Sequence, residues 1–385
     1  MIRRDFIKTG SVGAASLAIG GIAMAKQSAP DYLPIISDRM DQGKYVGHYD
    51  EREITEPVAL CDAKGLLNPA AIGWSRRPLQ RCNLRGHWPR KKKWNFWCMI
   101  SPDFAFSVTL MNLDYLGAAA NAFLIDFKTK KRISATASSP LVRTGALPEE
   151  VEKDISFISN KFNLSMIHSE NKIKVDFACR SLGGEKAVAD FSIIKPAGHE
   201  TLNVVIPWTP DRFQFTSKQN TLPTEGFVKV GDKRYVMDPK ECHAVLDFGR
   251  GMWPYRTYWN WGAITGVQGS DIVGLNLGAK WTTGTGANEN GICFNGKLTK
   301  IMEDMIWEYD PNDWMKPWRV RTGYTDMVNV TLTPIFPVLN HFNLGILEAG
   351  GAACYGSWSG TLKFEGRVVE INKLMGWGEE IRWKW

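Results

Sequence analysis

The chain has 385 residues, 44% of them hydrophobic and 23% charged, with a formal net charge of +7. That is the composition of a soluble globular protein, longer than one compact core usually holds, and the positive excess is too small to indicate a nucleic-acid partner. Seven cysteines without a C-x-x-C pair exclude zinc ribbons and redox dithiols, and six scattered histidines offer no metal-ligand spacing.

The first 25 residues read as a leader. Arg3-Arg4-Asp5-Phe6-Ile7-Lys8 fits the twin-arginine pattern, although Ile2 stands where Ser or Thr usually precedes the pair. A mildly apolar run from Thr9 to Met24 follows, and Ala23-Met24-Ala25 supplies a small-x-small cleavage site before Lys26. The run is too short and too rich in glycine to span a bilayer. The expected partner is the twin-arginine translocation machinery, and the expected location is periplasmic or otherwise exported.

Beyond the leader, short runs bounded by turn residues replace helical periodicity. Asn95–Ile100 and Ala105–Met111 form a predicted hairpin at Ser101-Pro102-Asp103. Strands are predicted over 122–127, 173–180, 187–193 and 202–206, then over 244–248, 256–261, 272–277, 291–294, 328–333 and 360–364. Glu149–Phe157 reads as a helix or a surface excursion. The fold class is all-β, with sandwich or barrel units.

The two halves repeat each other. Trp94-Asn95-Phe96-Trp97 leads to Asn112-Leu113 and then Asn121, much as Trp259-Asn260-Trp261 leads to Asn276-Leu277 and then Asn290. This predicts a duplicated β module with halves 26–215 and 216–385 and a joint between Phe215 and Phe227. Sixteen tryptophans require either a large β core or an aromatic-lined cavity.

The densest constellation runs from Asp247 to Trp261, with a predicted strand break at Gly249 and Gly251. Asp247, Arg250, Tyr255 and Arg256 are its polar groups. Alternation puts Tyr258 and Asn260 on one face of the following strand and Trp259 and Trp261 on the other. Asp247 serves either as an acid or base in aromatic surroundings, or as the ion-pair partner of an arginine. The loop Gly284–Gly291 lacks the Lys-Ser/Thr of a phosphate loop, which leaves Glu289 and Asn288 as pocket groups. Glu225, in Ser217–Gly226, is a further carboxyl for a shared cleft. The basic aromatic stretches Gly73–Pro78 and Arg90–Trp94 suit a peripheral membrane contact or an anionic substrate. In Gly356-Ser357-Trp358-Ser359-Gly360 the centre of a nucleophile elbow is tryptophan, and H-E-x-x-H and EF-hand patterns are missing.

Several of these segments carry a resemblance. Gly73–Arg76, Trp94–Trp97, Ser217–Pro223, Asp247–Gly251 with Trp253–Arg256, Asn276–Gly278, and the ending Leu374–Glu380 with Arg382 and Trp385 resemble the bacterial family known as domain of unknown function 2804. The leader departs from that family, most of whose members lack an export signal. More distantly, the duplicated architecture is similar to lipocalin-like proteins that include carotenoid hydratases and tocopherol cyclase. The resemblance implies lipocalin-like halves packed together, and it transfers no catalytic residue.

The resulting expectation is a two-lobed β protein that binds a hydrophobic small molecule, needs no cofactor, and acts as a hydratase, isomerase or cyclase. Asp247 is the expected acid, walled by Trp253, Tyr255, Tyr258 and Trp259. The alternatives are a non-catalytic lipid carrier and a carbohydrate hydrolase using Glu225, Asp247 or Glu289.

Overall fold

The computed structural model describes residues 47–139 and 145–384. The leader, its cleavage site and Trp385 lie outside the described residues. Among the described residues no helix is long and apolar enough to cross a membrane.

Frequent Gly, Asn and Asp turns cut the chain into extended runs. Three short strands come first: β1 (Val58–Ala59), β2 (Trp74–Ser75) and β3 (Gln80–Arg81). The first lobe follows with β4 (Lys91–Ile100), β5 (Phe104–Asn112), β6 (Ala118–Asp126), β7 (Lys131–Ser139), β8 (Ile155–Ile158) and β9 (Phe162–His168). It continues with β10 (Lys172–Leu182), β11 (Glu185–Ile194), β12 (Leu202–Thr209), β13 (Arg212–Val230), β14 (Lys233–Met237) and β15 (His243–Met252). The second lobe holds β16 (Arg256–Gln268), β17 (Asp271–Ala279), β18 (Gly291–Phe294), β19 (Lys297–Lys300) and β20 (Met305–Glu308). It ends with β21 (Trp318–Thr322), β22 (Val328–Asn343), β23 (Glu348–Phe364) and β24 (Arg367–Lys384).

The first sheet follows the order β7-β6-β5-β4-β15-β13-β11-β10-β9-β8, and the second β19-β18-β17-β16-β24-β23-β22-β21-β20. Each lobe thus opens with a four-stranded meander whose first strand pairs with the lobe's last, β4 with β15 and β16 with β24. This is the duplication announced by Trp94-Asn95-Phe96-Trp97 and Trp259-Asn260-Trp261, which lie in β4 and β16. The fold is all-β, two antiparallel half-barrels packed together. Each half has its own apolar core. Two further clusters, one around Trp253 and Trp281 and one around Trp261 and Trp377, lie between the halves.

Three expectations meet a different structure. β13 runs unbroken through the expected boundary at 215/216, and the chain passes from one sheet to the other between Met252 and Arg256. What the Phe215–Phe227 segment provides is a staple. A bulge between Gln219 and Leu222 turns the Asn220 amide outward, where Nδ2 donates to the carbonyls of Ile264 and Leu275 on the second lobe, both at 3.0 Å. Glu149–Phe157 forms no helix but an irregular course that enters β8 at Ile155. Ile155 and Phe157 are buried while Ser156 and Ile158 are exposed, the period of a strand.

Gly249 and Gly251 do not break β15, which runs through both. Their missing side chains serve close approach instead: a methyl on Gly249 would overlap the Trp94 indole and the Gln214 amide. Gly249→Ala is therefore expected to destabilise the fold by about 1–3 kcal/mol, the usual cost of overpacking. Urea unfolding measures it, and a neutral result would show that Trp94 can move.

Candidate functional site

A cavity of about 170 Å³ lies between the two sheets. An engineered apolar cavity of about 150 Å³ holds a benzene ring, so this one takes at least a ring-sized group. Alternation along the strands of both sheets builds it, and four of them frame its polar centre. On β15, Asp247 points into the cavity and Phe248 into the first core; on β13, Thr216 and Lys218 point in. On β16, Trp259 and Trp261 point in; on β24, Trp377, Glu379, Ile381 and Trp383 do so. Registers bring the polar members together, with Lys218 opposite Asp247 and Trp261 opposite Glu379.

The polar centre is one ammonium among three carboxyls. Lys218 Nζ lies 2.8 Å from Asp247 Oδ1 and 2.9 Å from Glu289 Oε2, and 4.2 Å from the centre of the Trp261 ring. Each carboxyl also accepts from one indole: Trp94 Nε1 to Asp247 at 3.0 Å, Trp281 Nε1 to Glu289 at 2.7 Å, and Trp259 Nε1 to Glu379 at 2.7 Å. Trp94, Trp259 and Trp281 spend their N–H groups on carboxyls, Trp253 and Trp261 theirs on the side-chain amides of Gln214 and Asn276, and the ring faces are left for the cavity, where Trp253 and Trp281 stack at 5.1 Å.

This setting shifts the groups in different directions. Burial pushes the Glu379 carboxyl up to about 7, helped by Asp247 and Glu289 and opposed by Trp259 and Lys218. Burial also raises Glu289, against the pull of Lys218. For Lys218, burial works against the charge, but Asp247 and Glu289 outweigh it and hold the ammonium above its ordinary value. An indole N–H favours the ionised carboxyl it bonds. Trp259→Phe should therefore move Glu379 above about 7, read as an upward displacement of its protonated-carboxyl band in infrared pH titration. A downward displacement would contradict the assignment.

Of the residues singled out from the sequence, Asp247, Glu289, Trp253 and Trp259 line the cavity. Asp247 has a partner, but it is Lys218 and not an arginine. Arg250 lies three residues along the strand and so faces the other way, buried in the first lobe with Nη2 on Asn95 Oδ1 at 2.8 Å. Tyr258 and Asn260 face the interior of the second lobe. There the Lys280 amine, pulled down to about 7 by burial, donates to the hydroxyls of Tyr258 and Tyr309 beside Glu380 and Arg382. Asn288 is buried away from the cavity, its Oδ1 accepting from Lys300 at 2.7 Å and its Nδ2 reaching the Glu303 carbonyl at 3.3 Å. Glu225 is exposed on β13 beyond the bulge. Tyr255 is at the surface, and Arg256 begins β16 opposite Lys384.

Lys218 and Glu379 also line the cavity, although nothing in their local sequence singles them out. Among the described residues, no cluster of three His, Cys, Asp or Glu side chains is placed to hold a metal ion. All seven cysteines are buried free thiols.

The profile described as Domain of unknown function (DUF2804) matches residues 51–385. The chain belongs to this family. The segments that resembled DUF2804 in sequence supply Trp94, Lys218, Asp247, Trp253 and Glu379 to the cavity. Among solved structures, the DUF2804 chain is similar to a Nitrosomonas europaea protein assigned as AttH, at 10% identity over 78% of this chain and 94% of that one, with a TM-score of 0.43. It is also similar to kievitone hydratase from Nectria haematococca, at 9% identity over 88% and 98%, TM-score 0.41. A third is CghA in complex with Sch210972, at 11% identity over 88% and 98%, TM-score 0.39. No curated protein matches the chain.

Proposed function

We propose that this protein binds a largely apolar small molecule between its lobes and acts on it by proton transfer, as a hydratase, isomerase or cyclase. The observation that carries the reading is Glu379, a half-buried carboxyl held at about 7 on the wall of a tryptophan-lined cavity, its Oε1 bonded by the Trp259 N–H. An acid that stays protonated near neutral pH in dry surroundings is what addition of a proton to an alkene requires.

The role expected of Asp247 passes to Glu379 on geometry. Asp247 accepts from Lys218, Trp94 and Thr216, so both its oxygens are engaged as acceptors. In the proposed reaction Glu379 gives its proton to one alkene carbon, and the cation left on the other carbon faces the Trp259, Trp261 and Trp377 rings. Attack by water with return of a proton to Glu379 gives hydration. Loss of a different proton to Glu379 gives isomerisation, and attack by a second double bond closes a ring and moves the cation to a new carbon, which loses a proton back to Glu379. The engagement of Asp247 and Glu289 by Lys218 and indole N–H groups speaks against a carbohydrate hydrolase, which needs a carboxylate free to attack or to activate water.

Incubation of the purified protein with polyene and isoprenoid alkenes in D2O tests the reading. Proton transfer to carbon places deuterium in the product, and mass spectrometry detects it. Unlabelled substrates, together with an apolar molecule extracted unchanged from the protein, would establish the carrier reading instead.

A further inference from the structure

The Trp253–Trp383 end of the cavity carries an outward surface that the chemistry above does not use. β22 and β23 meet in the tip Leu344-Gly345-Ile346-Leu347, closed by Leu344 N–H donating to the Leu347 carbonyl at 2.8 Å. Leu347 turns inward, 7% exposed, into the cluster that holds Trp253 and Trp281, whereas Leu344 and Ile346 stand 59% and 71% exposed. Trp88, at 72%, projects from the neighbouring loop.

Tyr255 joins the two loops. Its hydroxyl donates to the Ile346 carbonyl at 2.7 Å, and its ring lies 5.7 Å from the Arg90 guanidinium and 5.9 Å from Lys384 Nζ. Lys384 Nζ also donates to the Gly345 carbonyl, and Arg90 Nη2 donates to the Trp253 carbonyl at 3.3 Å. The basic side chains around Tyr255 are therefore Arg90, Lys384, Arg256 opposite Lys384, and Arg212, which lies close enough to Arg90 to repel it. The nearby carboxylates are Asp114 on Lys91, Asp211 on Arg212, and Glu348 across from Lys384. Cations outnumber them. Exposed aliphatic and indole side chains ringed by net positive charge are the chemistry of contact with an anionic bilayer, the apolar groups entering the interface while the cations meet headgroups.

We propose that this rim docks the protein on an anionic lipid bilayer with the cavity end facing the membrane, so that an apolar ligand passes between bilayer and cavity without crossing water. The passage rests on the proposed function; the docking does not. Co-sedimentation with phosphatidylglycerol–phosphatidylcholine vesicles tests it, using the chain from Lys26 so that the leader's own affinity for lipid does not enter. Wild type is expected to bind the mixed vesicles, to bind pure phosphatidylcholine weakly, and to release in high salt. Leu344→Asp with Ile346→Asp should weaken binding by roughly tenfold or more, the loss of two interfacial aliphatic groups. Val368→Asp, at a comparably exposed valine on β24 outside the rim, should not. All these positions are at the surface, so folding is not at stake, and far-UV circular dichroism verifies it. Equal binding by wild type and the double variant would overturn the proposal. So would a wild-type dimer that the double variant turns into monomer in light scattering, since the rim would then cover a second copy. No substrate is present, so failure of the acid chemistry leaves this measurement unaffected.

Discussion

Glu379→Gln is expected to lower turnover of an alkene substrate by about 10²–10⁴-fold, the usual worth of a positioned general acid, while leaving ligand affinity nearly intact. The amide keeps the shape and still accepts from the Trp259 N–H, but it has no proton to give. Wild-type turnover should be high below about 7 and fall above it as Glu379 ionises. The variant has a second readout that needs no substrate. Below the ordinary value of 4.5 the carboxyl is protonated in both folded and unfolded chains. Between 4.5 and about 7 the unfolded chain ionises while the folded one stays protonated, so stability falls as pH rises through that window. Roughly 3 kcal/mol is at stake there, and the Glu379→Gln substitution should flatten that part of the curve in urea unfolding. An unchanged curve would mean that Glu379 ionises normally.

The second large effect belongs to Lys218→Met. It leaves Asp247 and Glu289 facing the cavity without their shared cation, and removing one partner of a buried ion pair costs about 3–5 kcal/mol. The Lys218 ammonium is held above its ordinary value, so its contribution is fully present at neutral pH and is lost only in strong alkali. The deficit of the variant should be largest near neutral pH and shrink in acid, where the orphaned carboxylates protonate. Adding Asp247→Asn to Lys218→Met should recover part of the loss, because one of the two charges disappears. Non-additivity in that double-mutant cycle measures the coupling.

Much of the architecture could be read from the residues because strands announce themselves locally. Short apolar runs bounded by turn residues located the hairpin at Ser101-Pro102-Asp103, and the paired Trp-Asn motifs marked equivalent strands of the two lobes. Asp247, Trp253 and Trp259 were legible as cavity groups because aromatic and polar residues crowd that stretch, and Glu289 because it stands in a loop between strands. What stayed hidden depends on which face of a strand meets which neighbour. Both faces of β16 are covered, so alternation separated Tyr258 and Asn260 from Trp259 and Trp261 without saying which pair met the ligand space. Arg250 was grouped with Asp247 by nearness in the chain, although an odd spacing puts them on opposite faces. Gly249 has the look of a turn residue and is in fact a slot for an indole from another strand. Lys218 and Glu379 acquire meaning only beside partners far away: Lys218 lies 29 residues from Asp247, and Trp259 lies 120 from Glu379.

That last separation bears on how the molecule comes into being. β16 waits through all the intervening strands, β17 to β23, before β24 arrives to pair with it. Pairings of such long range are slow to form, because the entropy of closing the intervening chain is lost before the contacts compensate it. Until β24 docks, Trp259 and Trp261 face water and the second sheet has an open edge, the condition that invites aggregation. The strand that seals the second half-barrel is also the one that carries Glu379, so closure of the sheet and arrival of the proposed acid are a single late event in folding.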